Sequence, residues 1–280
     1  MGHHGREILR TQTLTAYETH LSIFYTLFIL LGLVPAQTAA RARTIKGSGV
    51  MRTETREAGR YTGLKVARGV AATIVESDSE KLVVEADEKI IGYVVTTIDK
   101  QGVLLLTIDP EIDNIRDCDV RISVPKPEVL QSLTATSGGR VTCRTVVNTP
   151  TLNVRTTSGA HAEIACEGDG CTLSATSGSE IKANLAVGRC AIEAHSGAEI
   201  NVKGVAEECK INAMSGATCK ARNLLTRRTE ARASSGASVR ITCSETLEAA
   251  ASSGGSVSYW GDCRLVGFKK NLTGSVTHKR

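Results

Sequence analysis

The sequence predicts an all-β protein: a single-stranded, right-handed parallel β-helix, or β-solenoid, with coils of about 19 residues and an irregular β cap at its N-terminal end. Three observations predict it. The dipeptide Ser-Gly returns at a nearly constant interval. The residues on both sides of each copy alternate between apolar and polar. No segment between copies carries the 3.6-residue period of a helix, which excludes strand–helix–strand units.

The chain opens with Arg6 and Arg10, an apolar centre from Ile23 to Val34, Pro35, and then small residues at Thr38-Ala39-Ala40. Basic, apolar, small is the order of a secretory signal peptide, so 1–42 is read as a cleaved signal or an N-terminal anchor. Either form implies export, with the periplasm, the outer-membrane surface or the extracellular space as destination, and membrane contact only through this segment. Residues 43–57 read as a polar linker.

Within 58–130, Leu64–Val66, Val70–Val75, Lys81–Ala86, Val94–Ile98 and Val103–Ile108 read as strands, punctuated by Asp78-Ser79, Lys100-Gln101-Gly102 and Asp109-Pro110. Asp119–Pro125 leads toward the first regular coil. This region is expected to form irregular first coils that cap the solenoid, because an open end would leave backbone groups unpaired.

The regular coils are expected over 131–280. Ser-Gly stands at Ser137-Gly138, Ser158-Gly159, Ser177-Gly178, Ser196-Gly197, Ser215-Gly216, Ser235-Gly236 and Ser253-Gly254, with Thr273-Gly274 as a degenerate last copy. The intervals are 21, 19, 19, 19, 20, 18 and 20. Aligned on the Ser, a small column lies two residues earlier: Ala135, Thr156, Ala175, Ala194, Ala213, Ala233 and Ala251. Four residues after it lie Val141, Ala162, Ile181, Ile200, Cys219, Val239 and Val257. Such alternation is a strand with one buried face. Each Ser-Gly is then a structural corner where Gly supplies positive φ at low cost. The small size of the pair is expected to prevent collision with the copies above and below.

Composition agrees with a thin interior. Aromatic residues make up 3% of the 280, so the core must come from Ala, Val, Ile, Leu and Cys. The net charge of +5 is spread along the chain, and no block of Lys or Arg marks a nucleic-acid surface.

The order of "YTGLKVARGVAATIVES", "KLVVEADEKIIGYVVTTIDKQGVLLLTI", "DVRISVPKPEVLQSLTATSGG" and the "SGA"/"SGS" repeats resembles the putative auto-transporter adhesin head GIN domain family, over about Arg60 to Trp260. The resemblance implies a bacterial exported protein with a β-helical fold and brings no catalytic residues with it.

Candidate chemistry is sparse. Nine cysteines are present: Cys118, Cys143, Cys166, Cys171, Cys190, Cys209, Cys219, Cys243 and Cys263. Cys171, Cys190 and Cys209 share one inward column and suit the role of small apolar filler. Cys166 and Cys171, around Glu167-Gly168-Asp169-Gly170, are the pair best placed for a local disulfide in an exported chain. A straight ladder gives no converging metal ligands. Glu180 and Glu199 fall in one outward column, with His161 and Arg140 below. Carboxylates about 5 Å apart would suit a retaining glycosidase, so a carbohydrate-active enzyme is the alternative function. No base is placed to activate any Ser of the repeat. The reading is therefore a non-catalytic, adhesin-like module without metal or cofactor. Its flat faces would meet glycans or another protein's surface.

Overall fold

The computed structural model describes residues 43–270 and 273–280, and the signal or anchor expected over 1–42 lies outside them. The first strands are β1 (Thr44–Lys46), β2 (Met51–Glu57), β3 (Gly63–Ala67), β4 (Ala71–Val75), β5 (Lys81–Asp87), β6 (Val94–Ile98), β7 (Val103–Ile108), β8 (Asn114–Arg116) and β9 (Val120–Pro125). A single 3-10 turn, Ile91–Tyr93, precedes β6. The coils follow as β10 (Ser132–Thr136), β11 (Arg140–Asn148), β12 (Thr151–Thr156), β13 (His161–Ala175), β14 (Glu180–Ala194), β15 (Glu199–Ala213), β16 (Thr218–Ala233), β17 (Ser238–Ala251), β18 (Ser256–Trp260), β19 (Arg264–Lys270) and β20 (Ser275–His278).

The coils stack in parallel, as the repeat requires. Ala175 pairs with Ala194, Ala194 with Ala213, Ala213 with Ala233, and Ala233 with Ala251. All five are at most 2% exposed. Cys171, Cys190 and Cys209 likewise form one vertical column. Inward positions in β14 run 181, 183, 185, 187 and then 190, 192, 194. The skipped step at Gly188-Arg189 is a second bend, so each long strand feeds two faces of the coil. In the first coil Pro150 occupies this bend; it cannot donate to the ladder, and β11 and β12 are separate strands.

The Ser-Gly corner is a tight turn with both central residues left-handed. Ser φ lies between 49° and 55° and Gly φ between 67° and 75° at all seven copies. That is the geometry of a type I′ turn. The N–H after each pair closes it, as when Ser179 donates to the Thr176 carbonyl at 3.3 Å. The turns also bond to one another: Gly178 N–H donates to the Ser196 carbonyl at 3.1 Å, and Gly197 to Ser215 at 3.0 Å. Crowding is not the reason for the small residues. A Cβ added at Gly138, Gly159, Gly178, Gly197, Gly216 or Gly236 would meet nothing within 4 Å. Backbone conformation selects the pair, and its side is open to solvent.

The structure adds a corner and moves another. Arg68 and Gly69 adopt the same left-handed pair, at φ 58° and 76°, and Gly69 donates to the Ser137 carbonyl at 3.1 Å. This first turn carries Arg where the repeat has Ser. Ser275 pairs with Ser256, so Gly274 stands over Gly255 and not over Gly254. Thr273-Gly274 is therefore one position out of step with the other copies. Residues 43–57 also differ from expectation: β1 pairs with β8, and β2 runs antiparallel to β5.

Two pairs of polar residues inside the thin core satisfy one another, whereas the hydroxyl of buried Thr149 at the second bend has no partner among the described residues. Thr156 replaces Ala in its column and donates to Ser179 Oγ at 2.9 Å; Ser179 donates to the Thr176 carbonyl at 2.7 Å. Both are buried, and neither hydroxyl is left without a partner, the condition under which such burial is tolerated. Thr229 continues the Cys column and meets Thr226 Oγ1 at 2.6 Å, which in turn donates to the Thr242 carbonyl.

Candidate functional site

The outward residues form columns because each faces the same direction on every rung. After the corner, Arg140, His161, Glu180, Glu199, Thr218 and Ser238 stack in sequence. The two carboxylates singled out from sequence are thus vertical neighbours. Each is engaged by basic side chains of the same or a neighbouring rung. Glu180 receives His161 Nδ1 at 3.1 Å and Lys182 Nζ at 3.3 Å; Glu199 receives Lys220 Nζ at 2.6 Å. Partial burial pushes the Glu180 pKa up, but hydrogen bonds from Lys182 and His161 outweigh it and hold the carboxyl below its ordinary value. A glycosidic general acid needs the opposite shift.

Before the corner a second set of columns lines a groove of about 690 Å³ that spans several rungs. One column runs Arg189, Glu208, Arg228, and the next Lys210, Glu230, Glu248. Arg228 approaches Glu208 Oε1 with Nη2 at 2.7 Å and Nε at 3.2 Å, and Glu245 at 3.8 Å. Lys210 lies 3.5 Å from Glu230, while Arg232 reaches both Glu230 and, at 3.9 Å, Glu248. The hydrogen bond from Arg228 holds the Glu208 pKa down. Charge alternates along the Arg189–Glu208–Arg228 column, while the neighbouring column turns acidic after Lys210, so a polymer or protein surface laid in the groove meets donors and acceptors at about 4.8 Å steps. The arrangement presents fixed, mutually paired polar groups suited to recognition.

The groove was legible in the same alignment, seven residues before each Ser; the inward pattern ends one residue sooner, at the Cys column. That column lies beneath it. All nine cysteines are free thiols, seven of them buried. Burial pushes the Cys143 thiol up to about 12, with the nearby Cys166 adding to it, and burial raises Cys219 well above its ordinary value. Such thiols are poor nucleophiles at neutral pH. Cys166 and Cys171 face each other across the second bend, with Cys171 hydrogen-bonding to Cys166.

The family described as "Putative auto-transporter adhesin, head GIN domain" matches residues 60–263. Among solved structures, a putative adhesin from Parabacteroides merdae is similar with a TM-score of 0.76 and 18% identity, covering 85% of this chain and 100% of that one. A putative lipid binding protein from Parabacteroides distasonis gives 0.75 and 17%, with 85% and 100% covered. A putative adhesin from the same species gives 0.75 and 15%, with 84% and 100% covered. At these identities the likeness is one of fold. No curated protein matches the chain.

Proposed function

Since this chain belongs to the family described as putative auto-transporter adhesin, head GIN domain, we propose that it is an exported envelope or surface protein that works by non-catalytic binding. The groove of alternating charges over the Arg189–Glu208–Arg228 column carries this reading. It presents fixed polar groups on rigid strands, the kind of pre-organised surface that lowers the cost of binding. The basic, apolar, small order of residues 1–42 supports export. The chemistry of the groove suits glycans or another protein's polar surface, and the relative from Parabacteroides distasonis adds lipids to the ligands worth screening.

Two measurements test it. Fractionation with protease treatment of intact cells should find the chain outside the cytoplasm; retention in the cytoplasm overturns the export half. Full-length protein should be captured by an immobilised glycan, lipid or envelope-protein panel, and an Arg189→Ala, Arg228→Ala double variant should lose at least tenfold in affinity. Capture unaffected by that variant rejects the groove.

A further inference from the structure

A second polar pocket, of about 490 Å³, lies on the other face of the coils near their C-terminal end. Lys220, Arg222, Arg240 and Lys279 line it, together with Trp260 and Asn223. Three features of the backbone build it. Lys220 pairs with Arg240, and Arg240 with Ser258, so two cations stand on successive rungs of one outward column. β16 has 16 residues where β14 and β15 have 15, and its register shifts between Ala221 and Leu225. The extra residue makes a bulge in which Arg222 and Asn223 both point outward, in breach of strict alternation. Thr242 Oγ1 donates to the Arg222 carbonyl at 2.6 Å and fixes that bulge. Finally, β20 pairs with β18, and Lys279 N–H donates to the Tyr259 carbonyl at 2.8 Å, which carries Lys279 to the rim.

The charge of this pocket is not internally balanced. Lys220 is shared with Glu199 at its edge, but among the described residues Arg222, Arg240 and Lys279 have no carboxylate within 4 Å. The groove on the other face is different, since Arg228, Lys210 and Arg232 each have acidic partners there. The Arg222 guanidinium lies 4.6 Å over the Trp260 ring, a stacking that leaves its edge N–H groups able to bond an anion.

We propose that this pocket binds an acidic polysaccharide, one whose carboxylates or sulfates recur along an extended chain. Cations spaced at about 4.8 Å along the column match repeating anions better than a single small one. The half-buried Trp260 offers a flat apolar edge for a sugar ring, and Asn223 and Ser258 can bond its hydroxyls. A single-stranded nucleic acid would want several aromatic platforms for successive bases, and the pocket has one. The site does not depend on the groove on the other face, so either can fail alone.

Titration calorimetry of the full-length chain tests the proposal, with polygalacturonate and heparin as acidic probes, dextran as neutral polymer and an oligo-deoxythymidylate as nucleic acid. Both or one of the acidic polysaccharides should bind, with affinity falling as salt rises, while dextran should not. An Arg222→Ala, Arg240→Ala double variant should lose at least tenfold, and Lys81→Ala on β5, outside both sites, should be unchanged. If the double variant does not fold, Lys279→Glu at the exposed rim should give a loss of at least threefold. No binding of either acidic polymer, equal binding of dextran, tighter binding of the oligonucleotide, or insensitivity to these substitutions would overturn it.

Discussion

Between His161 and Ala251 every strand lies parallel to its neighbours, whereas residues 43–130 mix parallel and antiparallel pairings. Both regions share one continuous core, yet they are filled differently. The coils use Ala, Cys and Ile in vertical columns, and the N-terminal region uses Leu82, Leu104, Leu106, Ile108, Ile112 and Ile122. The contrast follows from what each region must do. A coil must be stackable on a copy of itself, so its inward residues stay small and its ladder parallel. The N-terminal region must end that ladder. Antiparallel β6 closes one face on β7, and β5 and β2 close the other beyond β9. Arg56 of β2 donates to the Ile91 carbonyl at 2.9 Å, tying the two terminating edges together. Arg52, Glu54 and Glu57 leave the last strand charged, which discourages a further strand from adding.

The largest expected effect breaks the two fillings in opposite ways. Leu106→Ala in the cap should destabilise by about 2–5 kcal/mol, since it leaves a cavity among large side chains. In the coils the corresponding damage comes from adding volume: Ala213→Leu, between Ala194 and Ala233, should cost about 1–3 kcal/mol by overpacking. Urea denaturation of both variants reads the comparison. Equal tolerance of Ala213→Leu and Ala213→Val would show that the coil interior is roomier than its Ala columns indicate.

Next in size come two glycines with positive φ, one inside a long strand and one in a Ser-Gly corner. A Cβ on Gly204, at φ 111°, would lie 2.0 Å from the Leu185 carbonyl oxygen of the rung below, while one on Gly216 has open space. Gly204→Ala should therefore cost about 3 kcal/mol through strain and forced backbone movement. Gly216→Ala pays only for its left-handed φ, about 1 kcal/mol. Thermal melts that give the reverse order would refute the distinction between a close approach and a bare turn.

The cap and coils should also separate on acidification. Asp87 is buried and accepts the N–H groups of Lys89 at 3.0 Å, Ser48 at 2.7 Å and Gly49 at 2.8 Å. The Lys89 N–H, with those of Gly49 and Ser48, holds its pKa below the ordinary carboxylate value against the opposing effect of burial. A depressed folded-state pKa contributes stability that is present above the unfolded value, near 4, and lost as pH falls through the folded one. Hydrogen exchange should thus show β2 and β5 opening below about pH 4 before β13–β17 do. Asp87→Asn should bring that opening to neutral pH. Simultaneous loss of all strands would mean the cap does not melt on its own.

Much of the coil region was legible because one residue per rung repeats in the same environment. The Ala, Cys and Glu180–Glu199 columns could be written down from an alignment of the chain with itself. What escaped depended on contacts between dissimilar segments. Residues 51–57 read as a linker since Met51-Arg52-Thr53-Glu54-Thr55-Arg56-Glu57 has no apolar alternation; its strand is held by backbone pairing to β5. Arg68-Gly69 was hidden because a left-handed φ, not the identity of Ser, defines the corner. The bulge that aims Arg222 was hidden too, since an extra residue looks like ordinary variation in repeat length. The charged groove was legible in principle, one position beyond the Cys column whose chemistry was weighed.

The smallest predicted effect returns to the corner and has the opposite sign from the rest. Ser215 sits at φ 54° with its side chain exposed, and no neighbour requires a hydroxyl there. Left-handed backbone disfavours most side chains, but Asn tolerates it, and Asn-Gly is the preferred pair of a type I′ turn. Ser215→Asn should stabilise the protein by on the order of 0.5 kcal/mol, read as a small rise in Tm. Ser215→Val should destabilise it, because a β-branched residue fits that region worst. If Ser215→Asn were destabilising, conformation could not be the reason Ser-Gly recurs. The hydroxyl column, Ser177, Ser196, Ser215 and Ser235, would then have to be kept for what it presents to solvent.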